Sequence, residues 1–395
     1  MPRFDPFPAL RYAAADLGPL VAPPYDVLSE RDVDELEARH PHNIVHVDVP
    51  RERDGAERYE AAAARLRSWI AEGVMVRDHE PSFTLYRMSF TDEAGRARRI
   101  VGVVGALEVV DEGAGGVLPH ERTTPKASTD RLDLTRATAA NLSPVWGLSL
   151  ADGLTTTLAA PAEPVGSVTV DGVAHSVERV TDRGRIAEIA ARVGGDDVLI
   201  ADGHHRYSVS RTYRDEVRAR TGTSHSAAEL TLAFVSELVE DQLSVAAIHR
   251  VYRSIDRSEL LGALEAGFTT SPAGPVDSGT LAAMRSRGSL CLLDRDGNGT
   301  WLDARPGAFD SVRPIDGAWL EHLLATSGAD VDYQHGVDEV RALMRDDPSV
   351  VAAVLIRPVS VSEIERTARE GLLMPPKSTF FTPKLRTGFV VRELA

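Results

Sequence analysis

Residues 198–207 read Val-Leu-Ile-Ala-Asp-Gly-His-His-Arg-Tyr, an apolar run that passes through one acid and one glycine into a polar stretch. This junction constrains the fold more than any other part of the chain. The run has the length of a short buried strand ending at Asp202. Gly203 permits a tight turn, so that a helix starts directly after it. A helix start exposes unpaired backbone N–H groups and the positive end of the helix dipole. Two imidazoles and a guanidinium in that first turn gather donors at one point, which suits phosphate. Asp202, Gly203, His204, His205 and Arg206 form the first candidate phosphate or nucleotide site, and His205 is also a catalytic candidate.

The surrounding pattern predicts an α+β fold. Ser29 reads as the N-cap of a helix over 30–39. Residues 44–49 alternate like a short strand. A helix is expected over 56–73, paired strands over 82–90 and 98–110, and an irregular polar loop over 118–131. A helix at 131–141 and a strand at 144–150 follow. Residues 165–180 predict a hairpin turning at Asp171-Gly172. Further helices are expected at 182–193, 256–266, 278–286, 316–326, 336–346 and 360–370. Further strands are expected at 229–238, 244–252, 288–294, 299–304, 350–356 and 387–393. A chain of 395 residues should form two lobes. The expected division is a core over 1–255 with inserted hairpins and a C-terminal α/β lobe over 256–395, whose last segment returns to the site. The Pro/Gly/Ser stretch 270–279 is a candidate boundary.

Composition narrows the function classes. The chain lacks a run of about 18 apolar residues, which excludes a transmembrane helix, and its start does not read as a signal peptide. A soluble, cytoplasmic protein without a membrane partner is expected. The single cysteine, Cys291, excludes a disulfide framework and a cysteine-built zinc site. With 44 basic against 59 acidic residues, the net charge is −15, so nucleic acid is not expected as the main partner. Small anionic ligands need only a few focused cations and stay compatible. Neither a G-x-S-x-G elbow, a Walker loop nor a Rossmann glycine fingerprint occurs.

Three further segments carry candidate chemistry. Lys126, Lys377 and Lys384 are the only lysines among the 44 basic residues, and all sit in polar, irregular stretches. Within 118–131, His120, Glu121, Lys126 and Arg131 combine base, acid and cations. Glu121 could act as general base, a nucleotide-borne magnesium could be held by Asp202 or Glu121, and Lys126 and Arg131 could clamp phosphates. Prolines stiffen 21–29 around Tyr25 and Asp26, and Asp26 is the second candidate base. Tyr25, His120, Asn141, Lys377 and Lys384 are candidate substrate contacts. A transition-metal centre built from His120, His204 and His205 is weaker, because adjacent helical histidines point about 100° apart.

Six of these segments together resemble the DUF1015 family. They are APPYDVLS, HPHNIVHVD, LPHERTTPKASTDR, NLSPVWGL, ADGHHRYSVS and MPPKSTFFTPKLRTG. The resemblance runs from about residue 19 to 392. The strand–DGHHR–helix unit is also similar to the phosphate-binding turn of the ParB/sulfiredoxin-like fold, and most to its free-serine-kinase version. That resemblance implies a ParB/sulfiredoxin-like core with large insertions, with Gly203 to Arg206 on nucleotide phosphates and a catalytic glutamate outside the turn, for which Glu121 is the first candidate and Asp26 takes second place. The cysteine of sulfiredoxins is absent, which speaks against sulfinic acid reduction.

These readings together imply a nucleotide-dependent phosphotransferase using ATP or ADP with Mg2+. The acceptor would be a small hydroxyl metabolite, with free serine the leading guess. Two rivals stay open: a nucleotide- or phosphate-sensing regulatory protein without transfer, and a metal-dependent hydrolase. A homodimer is compatible with each.

Overall fold

The computed structural model describes residues 1–394 except 56, 93, 94, 122–125, 278 and 376, and leaves out the side chains of 54 and 126–128. The chain divides into two compact units. The first comprises Met1–Ser244, Ala368–Gly371 and Pro383–Ala395, and the second Val245–Thr367 and Leu372–Thr382.

The first unit is built on a nine-stranded mixed sheet. Its strands are β1 (Phe4–Asp5), β2 (Phe83–Thr91), β3 (Ala97–Glu108), β4 (Val117–Leu118), β5 (Val145–Ser149), β6 (Glu163–Val170), β7 (Val173–Val180), β8 (Val198–Asp202) and β9 (Leu230–Glu237). Their order is β4-β8-β5-β9-β3-β2-β7-β6, and β1 also pairs with β3. β8 runs parallel to β4 and antiparallel to β5, while β9 runs parallel to β5. Its helices include α1 (Glu30–Arg39), α2 (Val45–Asp48), α3 (Arg58–Ala71), α4 (Lys126–Thr138), α5 (Arg183–Val193) and α6 (His204–Thr221). Phe4, Phe83, Leu85, Val103, Ile189, Val198, Ile200, Tyr207 and Val235 pack together in the core of this unit.

Local chemistry explains several boundaries. Ser29 caps α1 in a reciprocal box with Asp32. Asp171 and Gly172 turn the β6–β7 hairpin with φ of +51° and +73°, as a two-residue primed turn requires.

Two expectations fail here for identifiable reasons. Residues 45–48 form helix α2, not a strand. Ile44, Val45 and Val47 are all fully buried, so the alternation does not separate an inner from an outer face. Buried Asn43 fixes the bend: its Oδ1 accepts from the Val45 N–H and its Nδ2 donates to the Pro19 carbonyl. The second failure is the polar segment 118–131, which is not loop throughout, because α4 already begins at Lys126.

The second unit contains a six-stranded sheet. Its strands are β10 (Ile248–Arg253), β11 (Phe268–Pro275), β12 (Leu290–Leu293), β13 (Asn298–Ala304), β14 (Asp330–His335) and β15 (Ala352–Leu355). They lie in the order β11-β13-β12-β15-β10-β14, with each neighbouring pair antiparallel. The stretch 270–279 is therefore no linker: its first six residues belong to β11, paired with β13. Of the expected strand 387–393, only Arg392–Glu393 forms a strand, against Ala140–Asn141. Among the described residues, no helix is long and apolar enough to cross a membrane.

Candidate functional site

The junction of β8 and α6 organises the site. Gly203 caps α6 with φ +88°, a left-handed conformation open to glycine at no steric cost. A side chain at 203 would also place its Cβ 3.0 Å from Cζ and Nε of Arg206. The glycine thus serves the turn and the close approach of a guanidinium together.

That guanidinium faces inward. Arg206 is 8% exposed. Its Nη2 donates to Asp202 Oδ2 and its Nη1 to the Pro144 carbonyl. Its Nε is buried and has no hydrogen-bond partner among the described residues. Lys384 Nζ donates to the other Asp202 oxygen at 2.6 Å. Burial would raise the Asp202 carboxyl, but the Lys384 and Arg206 charges overturn that and hold it well below the usual carboxylate range.

The histidines behave differently from the sequence reading. His120 is fully buried, and its Nδ1 lies 2.7 Å from the Ile200 carbonyl, which assigns the proton to Nδ1. Burial pushes its pKa down to about 4. His204 meets it edge-on, with ring centroids 4.7 Å apart, and the His120 N–H points at His204 Nε2 over 3.5 Å. His204 is driven well below its ordinary value, first by burial and then by His120. Both imidazoles are therefore neutral at neutral pH and add no positive charge to an anion site. His205 is half-buried in the same first turn.

A metal centre is not supported by these side chains. Both oxygens of Asp202 are held by cations, and among the described residues no group of three His, Cys, Asp or Glu side chains could hold a metal ion. Glu121 itself is half-buried next to His120.

Behind Arg206 lies a cavity of about 50 Å³, lined by polar side chains that include Tyr25, Asp48, Arg131, Asn141, Ser143 and Arg206. Arg131 lies 4.1 Å over the Tyr25 ring, and its Nη1 donates to the Asp48 carbonyl. Its Nε and Nη2 hold Asp130 at 2.8 and 2.6 Å. Arg131 is thus a buried tie and does not stand free as a phosphate clamp. Burial pushes the Tyr25 hydroxyl up to about 12 and raises the carboxyl of Asp48, which is 3% exposed. The Asn141 side-chain oxygen accepts from the Leu232 N–H at 3.0 Å, so this residue also ties strands together.

Of the other candidates, Asp26 is exposed in the short turn after Pro24. Lys377 belongs to the second unit, exposed, with φ +57° and its carbonyl accepting from Arg250. Lys126 opens α4, with its side chain outside the described residues, as are residues 122–125 of the same segment. The sequence reading missed Asp48 and Ser143. Asp48 lay inside the supposed strand, and Ser143 between the expected helix over 131–141 and the expected strand over 144–150.

The chain belongs to the DUF1015 family, described as a protein of unknown function, whose model matches residues 4–318. No curated protein matches it. Among solved structures, it is similar to a conserved hypothetical protein from Pyrococcus furiosus, at 11% identity and a TM-score of 0.38, over 70% of this chain and 92% of that one. A free serine kinase in complex with AMP is similar at 12% identity and 0.37, over 69% and 89%. SbnI from Staphylococcus aureus, truncated at its C-terminus, is similar at 11% and 0.40, over 73% and 87%. Likeness at this level carries no argument about function.

Proposed function

We propose that this protein is a nucleotide-dependent phosphotransferase acting on a small hydroxyl metabolite, with a serine-like amino acid as the leading acceptor. One observation carries the reading: Asp202 held between Lys384 and Arg206 at the start of α6. Two fixed cations at the positive end of a helix dipole favour phosphate oxygens. The donor would be ATP or ADP, its phosphates resting on residues 203–206. Glu121 accepts the proton of the acceptor hydroxyl, with Asp26 the second candidate. Lys126 and Lys384 offset charge on the transferred group. Magnesium enters with the nucleotide, and none of these roles depends on a protein-built metal site.

Incubation of the full chain with ATP or ADP and a panel of hydroxyl amino acids, followed by phosphorus NMR, tests this reading. A new phosphomonoester signal is expected, and its absence across the panel refutes the transferase. Arg206 variants are poor reagents, because removing one partner of a buried ion pair costs about 3–5 kcal/mol and endangers the fold. One observation favours a nucleotide sensor instead: both terminal nitrogens of Arg206 are already engaged. Calorimetry showing tight ATP, ADP or CTP binding with no product supports that second reading.

A further inference from the structure

Besides the α6 junction, the first unit carries a groove of about 610 Å³ on one face of its sheet, a size within the roughly 300–1,000 Å³ of small-molecule sites. Its floor is two cross-strand rows over β6, β7, β2 and β3. Ser167, Ser176, Arg87 and Val101 form one row, and Thr169, Ala174, Ser89 and Arg99 the next. Strand alternation puts both rows on one face. Farther along that face Leu85 and Val103 are fully buried in the core, whereas Ser89, Arg99, Ser167 and Thr169 are exposed, so the apolar cover stops where the groove begins. Thr155 and Gln242, from outside the sheet, add a wall and are bonded to each other at 2.9 Å.

Charge selects the ligand. The chain carries a net charge of −15, yet two guanidinium groups and no carboxylate line this groove. Arg87 and Arg99 are diagonal neighbours on paired strands, about 7–8 Å apart along the backbone. Like charges at that range repel. One acid offsets them: Glu178 accepts from Arg87 Nε at 2.8 Å. The Leu158 and Ala160 carbonyls accept from Arg87 Nη2 at 2.9 and 3.1 Å, which fixes this fork. Arg99 has no hydrogen-bond or ion-pair partner among the described residues. An anion shared by the two forks removes their repulsion. A phosphomonoester, with three terminal oxygens, serves two planar forks better than a carboxylate with two. Toward β6 the floor turns to the hydroxyls of Ser176, Ser167 and Thr169, which can both donate to and accept from hydroxyl groups. No Phe, Tyr or Trp lines the groove, so a nucleobase finds no ring to stack on.

We infer that this groove binds a phosphorylated polyhydroxy compound of the sugar-phosphate class, its phosphate on Arg87 and Arg99 and its hydroxyls on Ser176, Ser167 and Thr169. The site is separate from the α6 junction and does not depend on the transferase reading.

Calorimetric titration of the full chain with glucose 6-phosphate, glucose and inorganic phosphate tests it. Glucose 6-phosphate should bind at least about tenfold more tightly than either of the others. Arg99→Ala changes an exposed side chain and should fold as the wild type does, with glucose 6-phosphate affinity at least about tenfold lower. Ser176→Ala should weaken glucose 6-phosphate about threefold or more and leave inorganic phosphate within about twofold. Saturating ADP should leave glucose 6-phosphate affinity within about twofold. Absence of glucose 6-phosphate binding to the wild-type chain, equal binding of glucose or of inorganic phosphate, undiminished binding in either variant, or displacement by ADP overturns the inference.

Discussion

Replacing Gly203 by alanine tests the geometry of the junction directly. Two costs follow from the structure. The first is conformational: φ +88° in a residue with a Cβ costs about 1–2 kcal/mol. The second is steric: the new Cβ would lie 3.0 Å from Arg206 Cζ and Nε. Arg206 cannot yield freely, because Asp202 and the Pro144 carbonyl pin its far end. Shifting it forfeits at least one charge-assisted hydrogen bond, about 1.5–3 kcal/mol. The same helix supplies a control. Gly222 closes α6 with φ +69°, and nothing lies within 4 Å of its added Cβ. Gly222→Ala therefore carries the conformational cost alone. Hydrogen exchange by mass spectrometry reads the opening free energy of the β8 amides, a local stability that does not require the two units to unfold together. Gly203→Ala should lower it by about 1.5–3 kcal/mol more than Gly222→Ala. Equal losses in the two variants would show that the guanidinium does not press on residue 203, and the account of the junction would fall.

Two further outcomes concern charge. Because Lys384 and Arg206 lower the Asp202 pKa, this group stabilises the fold fully above the unfolded carboxyl value of about 4, and that contribution fades as pH falls through the folded value. Lys384→Met should weaken it, costing about 1–3 kcal/mol at pH 7 since Arg206 remains, with the gap to wild type narrowing on acidification. A gap that stays flat when unfolding is followed below pH 3, down through the folded value, contradicts the pairing. His120 works in a neighbouring window. Its pKa is lowered to about 4 against about 6.5 unfolded, so the unfolded chain takes up a proton that the folded chain refuses. Stability should then fall as pH drops from about 6.5 to 4, and His120→Gln should flatten that slope by up to about 1.4 kcal/mol per pH unit; an unchanged slope refutes the buried neutral assignment.

What was legible in the sequence is what local chemistry decides. Ser29, the Asp171-Gly172 turn and the Asp202–Gly203–His204 junction each state their conformation in two or three residues, and all three formed as read. The inward turn of Arg206 left little trace, because Asp202 ends β8 and Arg206 sits in the first turn of α6, so their pairing crosses the strand–helix junction. The sequence reading did not anticipate that pairing. Lys384 lies 182 positions from Asp202, and only the rarity of lysine marked it. Asp48 left the least. Its neighbours alternate in polarity, which is the signal of a half-buried strand, yet the adjacent Ile44 and Val45 are both buried with Val47, and the Asn43 side chain fixes the helical bend. An acid at the end of such a segment is carried inward with it. Periodicity reports which face of an element meets water, and it misleads where an element has no such face. The cavity behind Arg206 is built from such a segment together with α4, α6 and the Asn141–Ser143 turn, so its lining follows from tertiary packing and no local pattern could have listed it.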